Sequence, residues 1–140
     1  MIRSDAPRHQ LIHTLLMRRP EDVPEVTVML WEKFAAQLIT IIGDGGFDSL
    51  FIRSLHMCGK QFPWLIPAPD SPKAVWRFVE LHARLADRDS YGAVLASEAL
   101  FTTFIDILAM MIGEHLTDSI LQSAWGAEVS DTAAKDSDHE

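Results

Sequence analysis

Apolar residues recur every three or four positions along most of this chain, which is the spacing of one face of an α-helix. Between residues 24 and 42 this stripe consists of Val26, Leu30, Phe34, Leu38 and Ile42. No segment alternates apolar and polar residues between turn dipeptides, which is the pattern that predicts a β-strand. The pattern therefore predicts an all-α fold.

Prolines, glycines and capping residues divide the chain into six predicted helices. They cover approximately residues 8–18, 22–42, 47–57, 71–87, 92–112 and 117–125. Gly43, Gly59 and Gly113 are predicted helix ends, because glycine adopts the left-handed conformation that ends a helix. Residues 60–72 contain four prolines and predict an ordered loop, since proline cannot continue a helix. We expect a compact bundle of five or six helices.

A weak internal repeat relates two parts of the chain. Segments 31–55 and 101–125 align without gaps and share six identical residues, including the pairs Gly43/Gly113 and Asp48/Asp118. If the repeat is a true duplication, two helix-glycine-helix halves would be related by a pseudo-twofold axis. Chance similarity between two apolar corners is the alternative. In both cases Gly43 and Gly113 are predicted to be helix corners with positive φ.

Length and charge narrow the classes of protein to which the chain can belong. Its 140 residues predict one helical domain, residues 1–126, followed by a disordered acidic tail, residues 127–140, that lacks apolar periodicity. A net charge of −8 disfavours binding to nucleic acid or to an anionic membrane. The single cysteine, Cys58, cannot form an intramolecular disulfide, which fits a reducing compartment. We expect a cytoplasmic protein.

Motifs for catalysis and cofactor binding are missing from the sequence. The glycines at 43–46 match neither the dinucleotide-binding nor the Walker spacing, and no Gly-x-Ser-x-Gly segment is present. His9 and His13 are spaced to share one helix face, but no HExxH pattern or cysteine ligand accompanies them. We therefore expect no enzymatic activity, no cofactor and no metal site.

Asp106 is the one acidic residue in the most apolar part of the fifth predicted helix. A buried carboxylate without a partner is energetically costly, so Asp106 must face water or a cation. Arg53, within the apolar third helix, is the predicted partner. The sequence thus predicts a structural ion pair between Arg53 and Asp106.

Our leading functional hypothesis is a non-catalytic protein with a regulatory or adaptor role, acting through protein–protein contacts. The fifth helix is apolar on nearly all sides, and the loop after Lys60 is rich in aromatic residues, as interface cores are. We predict a homodimer that can also bind another protein. The predicted interaction surface consists of Phe62, Trp64, Leu65, Phe101 and Leu108.

Two alternative functions stay open. The first is histidine phosphotransfer by His56, although phosphotransfer domains have lysine and then glycine after the histidine, whereas Gly59 here precedes Lys60. The second is a small-molecule sensor with an apolar pocket between the two halves. Its predicted lining is Phe34, Trp64, Phe104 and Met111.

Overall fold

The computed structural model describes residues 5–66 and 77–138, and these residues form five α-helices and two short 3₁₀ helices without a β-strand. The α-helices are α1 (Asp5–Met17), α2 (Val23–Cys58), α3 (Arg77–Ala86), α4 (Ser90–Ile112) and α5 (Glu114–Asp138). The 3₁₀ helices span Pro20–Asp22 and Pro63–Leu65. The predicted all-α helical bundle is confirmed.

Two glycines turn the chain between consecutive helical segments. Gly43, with φ 80° and ψ 165°, divides α2 into a first arm, residues 23–42, and a second arm, residues 44–58. Gly113, with φ 93° and ψ 154°, separates α4 from α5. This combination of angles is essentially restricted to glycine, because a Cβ atom clashes with the backbone there. Each corner reverses the chain direction within a single residue.

The first arm of α2 and α4 lie side by side along a contact that we call the seam. The hydroxyls of Thr27 and Ser97 are 2.9 Å apart, and each is fully buried. One helical turn further on, the rings of Trp31 and Phe101 stack with their centroids 4.3 Å apart. Another turn on, the rings of Phe34 and Phe104 meet edge to face at 5.5 Å. Because successive contacts advance in the same direction on both helices, the two helices run parallel.

The remaining helices cover the seam. Trp125 on α5 donates its indole N–H to the Leu30 carbonyl at 2.9 Å. The Phe78 ring on α3 packs edge to face on Phe51 in the second arm of α2. Helix α1 lies on α4 and runs antiparallel to it, since His9 lies beside Asp106 whereas His13 lies beside Glu98. As a result Gly43, Gly113 and the start of α1 are at one end of the molecule, which we call the corner end.

The centre of the core is an aromatic cluster around Trp31. Six rings have their centroids within 6.4 Å of the Trp31 ring, and they are contributed by α2, α3 and α4. These rings belong to Phe34, Phe47, Phe51, Phe78, Phe101 and Phe104. Rings of this size bury large apolar areas, so the cluster is a principal source of stability for a domain this small.

Helix α5 continues to Asp138. The predicted end of this helix at Trp125 is therefore wrong. The Glu128 carboxylate accepts a hydrogen bond from Lys33 Nζ at 2.6 Å, and its carbonyl accepts one from Arg18 Nη1 at 2.9 Å. Two cations thus anchor the start of the acidic segment, a contact that helical periodicity cannot reveal. Residues 139–140 lie outside the described residues, and the disorder of the tail as a whole stays a prediction.

Two helical stretches of the described chain, Pro20–Cys58 and Ser90–Ile112, are long and apolar enough to cross a membrane by length and composition. They include both helices of the seam, and α4 contacts each of the other four α-helices. Core helices meet the same criteria, so this property is weak evidence for a membrane span.

Candidate functional site at the corner end

The seam loses its cover at the corner end. Leu38 and Leu108 are the last fully buried residues of the two stripes, and Ile42 and Ile112 after them are partly buried against the core. Ile41 and Met111 follow Leu38 and Leu108 by three residues, and their side chains are 49% and 63% exposed. A pair that continues a fully buried stripe is therefore open to solvent, because the chain turns away at Gly43 and Gly113 before another helix can enclose it.

Two more apolar residues near Gly113 in the chain have exposed side chains. Met110 is 87% exposed and Leu116 is 40% exposed. Asp44 and Glu114 directly follow the corner glycines and are also exposed. We call this surface the corner face; it consists of Ile41, Asp44, Met110, Met111, Glu114 and Leu116.

Several acidic residues lie close to the two corner glycines in the chain. The helical segments around these glycines, 34–52 and 103–122, contain no lysine or arginine, whereas α1 brings Arg8 to the same end of the molecule. They contribute the carboxylates of Asp44, Asp48, Asp106, Glu114 and Asp118. Carboxylates concentrated beside an apolar surface attract cationic ligands and repel anionic ones.

Arg8 on α1 lies behind the corner face, and its side chain is only 6% exposed. Its Nη1 donates to Asp118 Oδ1 at 3.2 Å, and its Nη2 is 3.6 Å from Glu114 Oε1 and 3.9 Å from Asp106 Oδ1. One guanidinium thus faces three carboxylates. Its Nε has no hydrogen-bond partner among the described residues.

The sequence patterns assigned no role to Arg8. One signal was available. Arg8 precedes Ile12 by four residues, so it continues the stripe that Ile12, Leu15 and Leu16 bury. A cation in an apolar stripe indicates a buried partner on a neighbouring helix.

Histidine–carboxylate pairs attach the two outer helices to the central ones. His9 Nε2 is 3.2 Å from Asp106 Oδ1, and His13 Nδ1 is in contact with Glu98 Oε1, both between α1 and α4. Between α3 and α2, His82 Nε2 is 2.6 Å from Glu25 Oε2. This hydrogen bond lowers the pKa of the Glu25 carboxyl below its usual value of 4.5.

A groove of about 510 Å³ lies between α1 and α4 next to two of these pairs. Its lining consists of His9, Gln10, His13, Leu95, Glu98, Ala99 and Thr102. Within residues 5–66 and 77–138, no three histidine, cysteine or acidic side chains converge in a way that could hold a metal ion.

Asp106 has a different partner from the one predicted. It lies beside Arg8 and His9, whereas Arg53 is exposed on the second arm of α2. The predicted Arg53–Asp106 ion pair is therefore absent. The prediction assumed that a carboxylate on an apolar helix is enclosed, but the Asp106 side chain is 42% exposed.

The predicted interaction surface is mostly interior. Phe101, Leu108 and Leu65 are buried within the chain, so they cannot line an exposed surface of this fold. Phe62 and Trp64 are half-buried at the end of the molecule opposite the corner face. There Arg88 lies over the Trp64 ring at 4.5 Å, and Arg84 Nη1 donates to the Trp64 carbonyl at 2.9 Å.

The residues of the two alternative functions are not assembled into a site. His56 is exposed, but it lies in the last turn of α2 rather than in the middle of a helix. Phe34 and Phe104 contact each other in the core, Met111 is at the corner end, and Trp64 is at the opposite end. These four side chains therefore do not line a common pocket.

The chain matches no protein-family model, and comparisons with curated proteins and with solved structures give no match.

Proposed function

We propose that this protein is a non-catalytic binding module that docks a basic amphipathic segment of another protein on its corner face. The proposal rests on one observation above all. Exposed apolar side chains, led by Met110 and Met111, follow the buried seam at the corner end, and the exposed carboxylates of Asp44 and Glu114 come next in the chain, Glu114 also facing Arg8. A regulatory or adaptor role follows from such binding.

The exposed apolar side chains of the corner face support the proposal that its ligand is a protein segment. Met110 and Met111 are flexible, polarisable side chains, which adapt to the surface of a bound helix. A bound amphipathic helix would cover these side chains and Ile41 with its apolar stripe, as happens when a helix binds in a hydrophobic groove. Covering them would remove apolar surface from water and so favour binding.

Charge supports the basic character of the segment. Asp44 and Glu114 directly follow the two corner glycines and are exposed, and Glu114 also faces Arg8. Lysine or arginine on the edge of a docked helix would therefore meet the Asp44 carboxylate first. A second copy of this chain would instead place like charges against each other. For this reason we favour a different protein as the partner over the homodimer that the sequence suggested.

A binding experiment tests the proposal. The probe is a fluorescent peptide of about fourteen residues, roughly four helical turns, with leucine on one face and lysine on the other. We expect saturable binding, measured by fluorescence anisotropy, that weakens as salt screens the charges. A peptide with glutamate in place of lysine should not bind; equal binding of the two peptides would refute the proposal.

Matched variants locate the site. Replacing Ile41 and Met111 together by serine should weaken binding about tenfold or more, since about 1.4 kcal/mol of lost apolar contact has that effect. Tyr91→Ser is the control, because Tyr91 is 72% exposed at the opposite end of α4. If the double variant and Tyr91→Ser lost the same amount of peptide affinity, the peptide would bind at a different surface.

Sedimentation of the protein without peptide shows whether the chain forms a homodimer. A monomer at micromolar concentration agrees with our proposal. A dimer that the Ile41→Ser/Met111→Ser variant converts to a monomer would assign the corner face to a second copy of the chain and refute the proposal.

A further inference from the structure

We infer that Arg8 is an internal competitor of the partner segment. In the free protein Arg8 occupies the carboxylates of Asp106, Glu114 and Asp118, and an arginine of the bound segment takes its place. Binding then releases the start of α1 from α4. The inference rests on the proposed function and starts from the contacts of α1.

Helix α1 already has the chemical character that we propose for the partner segment. Residues 5–19 contain three arginines and two histidines but one acidic residue, Asp5. Ile12, Leu15 and Leu16 form the apolar stripe of α1 and are buried in the core. The free protein thus holds a basic helix with an apolar stripe, and this helix lies on α4.

The two halves of α1 are held by different kinds of contact. At its start, Arg8 and His9 face carboxylates of α4 and α5. From Ile12 onwards, the buried side chains of α1 are apolar. A cationic ligand can make contacts of the first kind but not of the second. The start of α1 is therefore the part with which a basic segment can compete.

The fit between Arg8 and its three carboxylates is incomplete. Among these contacts, only the 3.2 Å from Nη1 to Asp118 Oδ1 is a hydrogen-bond distance, since Nη2 is 3.6 Å from Glu114 Oε1 and 3.9 Å from Asp106 Oδ1. The buried Nε has no hydrogen-bond partner within residues 5–66 and 77–138. An arginine binds a carboxylate most strongly through two parallel hydrogen bonds. Arg8 does not achieve this geometry, so a better-placed arginine can replace it.

The three carboxylates are accessible from solvent, whereas Arg8 is not. The side chains of Asp106, Glu114 and Asp118 are 42%, 55% and 51% exposed, and that of Arg8 is 6% exposed. A guanidinium of another protein can therefore approach them from outside, while Arg8 faces them from the interior. Arginine suits this position better than lysine, because its planar fork matches carboxylates and is more weakly hydrated.

Glu114 connects these carboxylates to the corner face, of which it is a part. A segment docked on the corner face brings its cations toward the carboxylate that Arg8 already faces. Two cations at one carboxylate repel each other, so binding of the segment opposes the ion pairs of Arg8. The effect is reciprocal: the ion pairs of Arg8 weaken binding, and binding weakens the attachment of α1 by the same factor.

The experiment uses the leucine–lysine peptide with arginine in place of each lysine. We expect Arg8→Met to bind it about tenfold more tightly than the wild type, a factor typical of coupling between two sites. Arg53→Met is the matched control, because it removes the same charge from an exposed position and should leave the affinity unchanged. The gain in Arg8→Met should be smaller for the lysine peptide; an equal or larger gain would overturn the assignment of the site to arginine.

Hydrogen exchange of the wild type shows whether α1 itself responds to the peptide. The amides of residues 9–11 are the first that can bond within α1, because the first four N–H groups of a helix have no intrahelical partner. At saturating peptide they should exchange about tenfold faster, since a weaker attachment makes local opening easier. The amides of Leu15 and Leu16 should keep their rates, because apolar burial holds this half of α1.

Three outcomes would contradict the inference or the proposed function. Unchanged exchange at residues 9–11 would overturn the inference even if Arg8→Met bound more tightly, because charge repulsion alone would then explain the gain. Equal affinities of Arg8→Met and the wild type would also overturn it. Both results leave the proposed function intact. Failure of the peptide to bind either protein would refute the proposed function itself.

Discussion

Positions 43 and 113 need glycine because of their backbone angles. A larger side chain would not be excluded there by neighbouring atoms. An added Cβ atom at either position meets no atom within 4 Å, yet both residues have φ between 80° and 93°. Gly43→Ala and Gly113→Ala should therefore each cost about 1–3 kcal/mol through backbone strain alone. Thermal unfolding should show a fall of several degrees in the midpoint for each variant.

Gly45→Ala is the matched control for the corner glycines. Gly45 also has open space around its α-carbon, but it lies within the helical second arm of α2 without a positive φ. Alanine should stabilise the protein there by roughly 0.5–1 kcal/mol. A loss of stability at Gly45 equal to that at Gly43 would contradict the assignment of strain to the corner.

The two buried tryptophans differ in how their indole N–H groups are satisfied. Trp125 Nε1 donates to the Leu30 carbonyl, whereas Trp31 Nε1 has no partner among the described residues. Trp125→Phe removes a hydrogen bond, while Trp31→Phe removes a donor that burial leaves unsatisfied. We expect Trp125→Phe to destabilise by about 1–2 kcal/mol more than Trp31→Phe in urea unfolding. The opposite order would show that the Trp31 N–H is satisfied in the native protein.

At the level of helices, Arg8 is one of the residues that join α1 to the corner end. Arg8→Met keeps most of the side-chain volume but leaves three carboxylates facing each other. Because these carboxylates are about half exposed, we expect a loss of about 1–3 kcal/mol, below the usual cost for a fully enclosed pair. Arg53→Met should lie within about 0.5 kcal/mol of the wild type, as surface changes do.

Double-mutant cycles test the partners directly. Arg8→Met and Asp118→Asn should be non-additive, since the two side chains share a hydrogen bond. Arg53→Met and Asp106→Asn should be additive. Coupling between Arg53 and Asp106 would restore the ion pair that the sequence suggested and contradict the arrangement around Arg8.

We expect the attachment of α3 to α2 to depend on pH through the pair of His82 and Glu25. The hydrogen bond from His82 holds the pKa of Glu25 below its ordinary value of 4.5, so the native state favours the ionised carboxylate. The resulting stability is present above pH 4.5 and is lost as the pH falls through the lowered pKa. His82→Gln should raise the Glu25 pKa in an NMR titration, whereas His56→Gln should not. An unchanged Glu25 pKa in His82→Gln would contradict the pairing.

Sequence patterns predicted the elements better than their contacts. Apolar periodicity located the helices, and Gly43 and Gly113 located the corners, because both signals are local in the chain. The predicted end of α5 was wrong, because Glu128 is held by Arg18 and Lys33, which are distant from it in the chain. The partner of Asp106 was wrong for the same reason, as it depends on which helix lies alongside α4.

At the scale of the whole molecule, the corner face was not predictable from composition. Phe101 and Met111 lie on the same apolar helix, but the first is enclosed by the seam and the second is open. Their exposure depends on where the other helices end, which only the assembled fold determines.

The seam also has a consequence for cutting the chain. Residues 59–76 connect α1 and α2 to α3, α4 and α5, and α2 packs against all three of the later helices. Production of residues 1–66 and 77–140 as separate polypeptides would leave Trp31 and Phe34 uncovered on one fragment and Phe101 and Phe104 on the other. Exposed apolar surface of this kind drives association. We expect the fragments to be insoluble alone and to reconstitute a native heterodimer when they are refolded together, which would make this small protein a split reporter.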